Sequence, residues 1–493
     1  MNRKLLSVFL LISILLTASC GSSPSGPVSG DDTSATTTDT AESETTAARI
    51  EPVLPDTRWD GYKFRVLTKG DTNVHWKSKD IAAAEENGDV INDAVYARNM
   101  KVYERFGVEM VDIPSPNGTG DLTSPLRKSV MASSDDYDMV ASGYNDVPKA
   151  LAGDGMLMEL HSVPYMDLSK PWYDQNANEQ TSLDGKLFAT VGDMILMDNE
   201  ATYGVLFNKK LAEDYGFENF YEKVKDGTWT IDYMTECSRA VAKDLDGDGV
   251  MGEKDQWGCI GEPFNTYAYM VGCGVQAYAK NKDDIPVFTV NSERFHDSFV
   301  KAFQLNRDDK STMFSDNFKS ATDVFAEFID PAFSESRVLF NVAGLVRVTV
   351  FRAMETDFGI LPMPKFDKEQ KEYFSIVSTG SANTISIPVT ADAERSGAVI
   401  EALSAESHYI LTPAFYDTVL KTKAARDDDS ADMLDIIFAN RIFDVAYIFD
   451  WGGLIGSIMN LKNEDKISST VESKLKSAET SLEKTITAYK ELE

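Results

Sequence analysis

Residues 244–255 read DLDGDGVMGEKD, with acidic side chains at alternate positions of one short stretch. Counted from Asp244, Asp246 is third, Asp248 fifth, Gly249 sixth and Asp255 twelfth. A calcium loop of the EF-hand type takes its oxygen ligands at this spacing and needs glycine at the sixth place for a left-handed turn. The seventh residue, Val250, would offer its backbone carbonyl. The expected donors to a structural Ca2+ are therefore Asp244, Asp246, Asp248, Val250 and Asp255. There are two departures. Asp255 stands where the longer Glu is usual, and Gly252 at the ninth place leaves a water to serve. The other reading of the stretch is an acidic turn without metal. Catalysis fits poorly, because the loop has no nearby His and no apolar wall to raise a carboxylate pKa.

Other reactive constellations are sparse. No G-x-S-x-G or H-E-x-x-H is present, so neither a serine elbow nor a zincin site is indicated. The four histidines, at 75, 161, 296 and 408, are too scattered to suggest a metal centre. A glycoside hydrolase would need only two carboxylates about 5–10 Å apart. Acids are plentiful, so that alternative stays open at this point. Beyond Cys20 the chain has Cys237, Cys259 and Cys273. An odd number excludes full internal pairing, and a Cys259–Cys273 bridge and three buried thiols both remain open.

The elements that would carry these residues alternate strand and helix. YKFRVLT (62–68) alternates apolar positions as a strand does, and 91–107 carries Ile91, Val95, Val102 and Phe106 at helical spacing before Gly107. Strands are expected at 108–113, 137–143, 186–193, 201–210, 256–261, 336–344 and 358–364, with helices at 233–244 and 298–309. Helix dominates from about Arg395. The last helix carries Val471, Leu475, Ala478, Leu482 and Tyr489 on one stripe, as a helix packed on its own lobe would. This grammar predicts α/β sheets with helices on their faces.

The 493 residues suggest two domains or one two-lobed unit, and the net charge of −31 argues against a nucleic-acid partner. The N-terminus pairs Arg3 and Lys4 with an apolar run from Leu5 to Leu16, too short to span a bilayer. Thr17-Ala18-Ser19-Cys20 resembles the lipobox of bacterial lipoproteins, apart from Thr17 where Leu is commonest. That likeness implies a signal peptide over 1–19 and lipidation of Cys20, the alternative being an ordinary secretory signal. The Ser/Thr-rich stretch that follows, to about residue 55, reads as a disordered tether between membrane and folded part.

Several segments together resemble the extracellular solute-binding proteins of bacterial ABC importers, in the carbohydrate branch related to maltose-binding protein. They are ATYGVLFNKKLAEDYG, GTWTIDYMTECSRAVAKD, RVLFNVAGLVRV followed by DFGILPMPKFD, SIVSTGSANTISI, and the run from SAESHYILTPAFYDTV to ADMLDII. Their order over residues 60–455 carries the likeness. It implies a type II periplasmic-binding-protein-like α/β fold, two lobes joined by a hinge with a ligand cleft between them. One lobe is placed at 56–198 plus 365–410, the other at 203–360 plus 411–493. The implied protein is a non-catalytic monomer, lipid-anchored on the outer face of the cytoplasmic membrane of a Gram-positive bacterium. Its partners would be a sugar or oligosaccharide and membrane permeases, or a sensor in place of a transporter. In such a fold the strand-end loops face the ligand. Carboxylates and amides take sugar hydroxyls, and aromatic rings take the C–H faces. The expected ligand residues are Trp76, Tyr144, Asn145, Asn199, Glu200, Thr202, Tyr203, Glu262, Phe264, Tyr267, Gly344 and Trp451. Trp451 is expected to replace a stacking ring missing at Leu345.

Overall fold

A computed structural model describes residues 49–70, 76–118, 120–318, 322–420 and 428–492. The leader, the lipobox with Cys20 and the tether up to residue 48 lie outside the described residues, as does His75. No described helix is long and apolar enough to cross a membrane.

Two sheets organise the chain. The first has the order β12-β3-β1-β2, built from β1 (Tyr62–Thr68), β2 (Val108–Pro114), β3 (Met139–Gly143) and β12 (Asn383–Ser386). Strands β2 and β3 flank β1 in parallel, and β12 closes one edge antiparallel to β3. The second has the order β10-β4-β9-β5-β8. Its members are β4 (Tyr203–Asn208), β5 (Trp257–Gly261), β8 (Thr312–Phe314), β9 (Val338–Gly344) and β10 (Phe358–Leu361). Here β9, β5 and β8 run parallel, β4 is reversed against β9, and β10 pairs antiparallel with β4 and so runs with the trio. A hairpin of β6 (Tyr278–Lys280) and β7 (Pro286–Phe288) and a short pair of β11 (Ser375–Ile376) with β13 (Arg441–Ile442) complete the strands.

Local chemistry sets the boundaries. The helix Val90–Phe106 starts where the Asp89 carboxylate accepts the N–H groups of Ile91 and Asn92, which have no partner inside the helix. It stops where Gly107 takes φ 69° and returns its N–H to the Tyr103 carbonyl. Alternation along β1 then sorts its residues. Phe64 and Val66 join the core beneath the helix Ala393–Tyr409, and Leu67 joins a core on the opposite face.

Three described segments lie between the two sheets. The turn Met197–Glu200 leads into β4, residues 362–374 lead from β10 to β11, and β13 leads into the helix Val445–Phe449. These passages lie side by side: Thr202 bridges Val377, and β11 pairs with β13. Arg441 bolts them together. Its guanidinium meets Asp174, donates to Asp198 at 2.8 Å and to Asn199 Oδ1 at 2.7 Å, and is almost wholly buried. The three carboxylate and amide acceptors compensate a charge that would otherwise be costly to bury.

Some expectations meet different structure. The stretch 186–193 forms isolated bridges, Leu183–Lys186 and Thr190–Ile385, in place of a strand. Gly192 makes a third bridge, to Tyr173, and a Cβ there would lie 2.1 Å from the Trp172 carbonyl oxygen, so the close approach needs glycine. Cys237, Cys259 and Cys273 are free buried thiols, so no Cys259–Cys273 bridge exists. The helix Leu411–Leu420 packs on the first-sheet helices Val90–Phe106 and Ala393–Tyr409. The final helix, Ile467–Lys490, buries Val471, Ala478, Leu482 and Tyr489 of the expected stripe, with Leu475 partly buried and Ile486 added, but it does not stay on one lobe. Its last turns reach the first-sheet lobe, where the Tyr489 ring meets Phe188 edge-on at 5.2 Å.

Candidate functional site

The parallel strands of both sheets end toward the three passages, and the polar and aromatic residues just beyond those ends form one constellation. On the first-sheet side, Lys69 follows β1, and Tyr144 and Asn145 follow β3. The Thr379 hydroxyl donates to Asn145 Oδ1 at 2.7 Å, and the Thr379 carbonyl accepts the Tyr144 N–H. The buried Lys69 ammonium has a long contact of 3.4 Å to the Gly380 carbonyl. Burial lowers its pKa against the field of Asp146.

On the second-sheet side, β5 runs out at Gly261 into Glu262, and Pro263 opens the helix Pro263–Gly272. Proline fits a first helical turn because its missing N–H would have no partner there. This start fixes Glu262 and Phe264 at the strand end beside Tyr203. The Tyr203 hydroxyl donates to Glu262 at 3.1 Å. Phe264 meets Tyr203 edge-on at 4.8 Å and Tyr447 at 4.9 Å, so three half-buried rings surround one carboxylate. Ring pairs of this kind contribute about 1 kcal/mol each beyond their area. Burial raises the Glu262 carboxyl pKa, with Tyr203 and the more distant Arg347 opposing.

The two sides meet through the passages. The Ser378 N–H donates to the Ala201 carbonyl at 2.9 Å, and its hydroxyl pairs with Ser381. Gly344, at the end of β9, lies against Glu200, where a Cβ would come within 2.9 Å of its carbonyl oxygen. A glycine there lets the passage approach β9. Burial, reinforced by the negative field of Asp80, pushes the Glu200 carboxyl up to about 7.

Tyr203, Glu262, Phe264, Glu200, Gly344 and Asn145 belong to this constellation, and the other expected residues give their side chains to other partners. Trp76 is half-buried, leans on the first-sheet core and offers its carbonyl to Asn383. Tyr144 turns into a narrow crevice with Thr181, Ile448 and Tyr489. Asn199 and Thr202 are buried in the passage, bonded to Arg441 and to the Asp198 carbonyl. Tyr267 is fully buried one turn down its helix and donates to Asp444 at 2.9 Å. Trp451 stacks on Phe449 at 5.0 Å and donates to Thr485 in the final helix, so its ring is spent on packing. Tyr447, Ser378, Lys69 and Arg441 went unread in the sequence. Of these, Tyr447 had a usable signal: Asp444 caps the helix Val445–Phe449 and sets the orientation of its first turn.

The acidic loop joins the helix Ile231–Val241 to β5, clasped at its base by reciprocal bonds between Lys243 and Gln256. Oxygens of Asp244, Asp246 and Asp255 lie within 4.8 Å of one another. Gly247 and Gly249 take φ of 75° and 83°, and the N–H groups of Gly249 and Gly247 hold Asp244 below the usual carboxylate range. Asp248 accepts the Val250 N–H and stands outside that trio. The Val250 side chain is exposed.

No protein-family model and no curated protein matches this chain. Solved structures do resemble it. The sugar-binding protein MalE of Xanthomonas citri aligns over 86% of this chain and 98% of its own, with 13% identity and a TM-score of 0.56. An ABC substrate-binding protein of Listeria monocytogenes in complex with cycloalternan aligns over 86% and 99%, with 13% identity and a TM-score of 0.51. The maltose/maltodextrin-binding domain of Bdellovibrio bacteriovorus bound to maltotriose aligns over 87% and 98%, with 15% identity and a TM-score of 0.50. At this identity the likeness speaks to architecture, and the chain has the two-lobed α/β fold of type II periplasmic binding proteins.

Proposed function

We propose that this chain is the solute-binding subunit of an ABC importer, capturing a sugar or oligosaccharide between its lobes and passing it to membrane permeases without changing it. The observation that supports this most is the ring-and-carboxylate constellation of Tyr203, Phe264, Tyr447 and Glu262 beside the passages between lobes. Rings and acceptors in that combination suit the faces and hydroxyl edges of a sugar. Proteins of the same fold have been solved with cycloalternan and maltotriose. Ligand would favour the closed arrangement by its differential affinity for it. Permeases would be the membrane partners of a monomer. Cys20 would carry the lipid, and the tether would hold the protein at the extracellular face of a Gram-positive membrane.

In this reading the acidic loop is a calcium staple. Asp244, Asp246 and Asp255 would hold the ion, with Asp248 and the Val250 carbonyl turning inward to complete the shell. The ion would supply a fixed charge that ties the loop ends together and no chemistry at the cleft.

A thermal-shift screen against an oligosaccharide panel tests the function. A rise in melting temperature with at least one sugar is expected, and none across the panel would argue for a different ligand class.

A further inference from the structure

The apolar core on one face of the first sheet does not end at its own lobe. Leu67, Leu122, Val140, Val147 and Leu151 belong to the same buried cluster as the second-sheet core, joined through Leu183, Phe188 and the final helix. Two second-lobe elements make the junction, and both act on residues 179–188 of the first lobe.

The first is the end of the helix Ile467–Lys490. Tyr489 sits edge-on to Phe188, and Leu492 lies against Gly155. The Lys186 ammonium donates to the Tyr489 carbonyl at 2.7 Å and also to the Leu492 carbonyl. A cation at a helix C-terminus answers the unpaired carbonyls and the negative end of the dipole. The second is the β6–β7 hairpin. Its Lys280 ammonium donates to the carbonyls of Glu179 and Ser182, each at 2.6 Å, to the Ser182 hydroxyl at 3.0 Å and to its own Asp284 at 2.7 Å. Asp284 accepts the Gly185 N–H at 3.0 Å. The passages already join the lobes, so these contacts are not needed for continuity of the chain. They form a second attachment, on one flank.

We propose that the final helix and the β6–β7 hairpin form a clasp on residues 179–188 that holds the two lobes together without ligand, and that hinge opening goes with its release. The clasp rests on the hinge motion of the reading above but not on the identity of the solute. Tyr489 and Phe188 supply its apolar plug, and Lys186 and Lys280 its polar bolts.

X-ray scattering from the ligand-free full-length protein tests it. The triple variant Lys186→Met, Lys280→Met and Tyr489→Ala is expected to show a larger radius of gyration than the native chain. Lys186→Met with Lys280→Met alone leaves the plug in place, and it should shift the same way by less. Tyr489→Phe keeps the ring and should match the native curve. If the triple variant does not fold, the double variant decides. Variant curves that superimpose on the native curve overturn the clasp. Native dimensions that ignore every solute would instead count against the solute-binding reading.

Discussion

At the residue scale, Glu262 and Tyr447 carry the account. Glu262 is a half-buried carboxylate that accepts a hydrogen bond from the Tyr203 hydroxyl and retains acceptor capacity for a guest's hydroxyls. Glu262→Gln and Tyr447→Phe should each weaken sugar affinity by about tenfold, as expected for loss of a hydrogen bond to a charged or buried group, and titration calorimetry reads this directly. A second residue sets a pH dependence away from the cleft. Burial pushes Glu401 up to about 7, with the Tyr173 hydroxyl at 2.7 Å opposing. An unfolded chain would lose that proton near about 4.3. Between the two values the folded state holds a proton that the unfolded state has lost, so this group's contribution to stability declines as pH rises through that window. Melting temperatures of Glu401→Gln should therefore fall less across that range than those of the native protein.

At the element scale, the acidic loop gives the clearest prediction. If calcium staples it, EDTA should lower the melting temperature while sugar affinity stays within about twofold, because a ligand of the folded state alone stabilises by mass action. Asp255→Asn should show a smaller EDTA effect. Much at this scale was legible in the sequence. Gly107 ends the helix it was expected to end, and Phe64 and Val66 share the face that alternation assigns. The segment after Gly261 was harder. Glu262, Phe264 and Tyr267 looked like one polar-aromatic loop, but a helix begins at Pro263. Its winding leaves Phe264 half-buried against Tyr203 and Tyr447 and carries Tyr267 into the core, onto Asp444. Aromatic residues three apart are alike as letters; only helix phase and a buried acceptor 177 positions away tell them apart. Trp451 misled for a similar reason. It was expected as a stacking ring for the ligand, while Phe449 and Thr485 supply a packed environment that no local pattern encodes.

At the scale of the whole molecule, the passages between lobes must be firm enough to position both halves of the site and still permit motion. Arg441 fixes them through Asp174, Asp198 and Asn199. Arg441→Met would leave two buried carboxylates without their cation, and a loss of about 3–5 kcal/mol in unfolding free energy is expected by denaturant titration. Neither that hub nor the flank clasp was readable from the sequence, because the hub joins residues more than 200 positions apart and the clasp residues 98 to 306 apart. What the sequence did carry was the order of weak segment likenesses along the chain, which pointed to the two-lobed fold.

The central claim is reversible capture of an intact sugar, and calorimetric titration of the native protein with an oligosaccharide panel tests it most directly. The account predicts a one-to-one, saturable heat with at least one sugar, followed by a flat baseline. Flat titrations across the panel, or a steady heat that continues after saturation as bonds are broken, would contradict it.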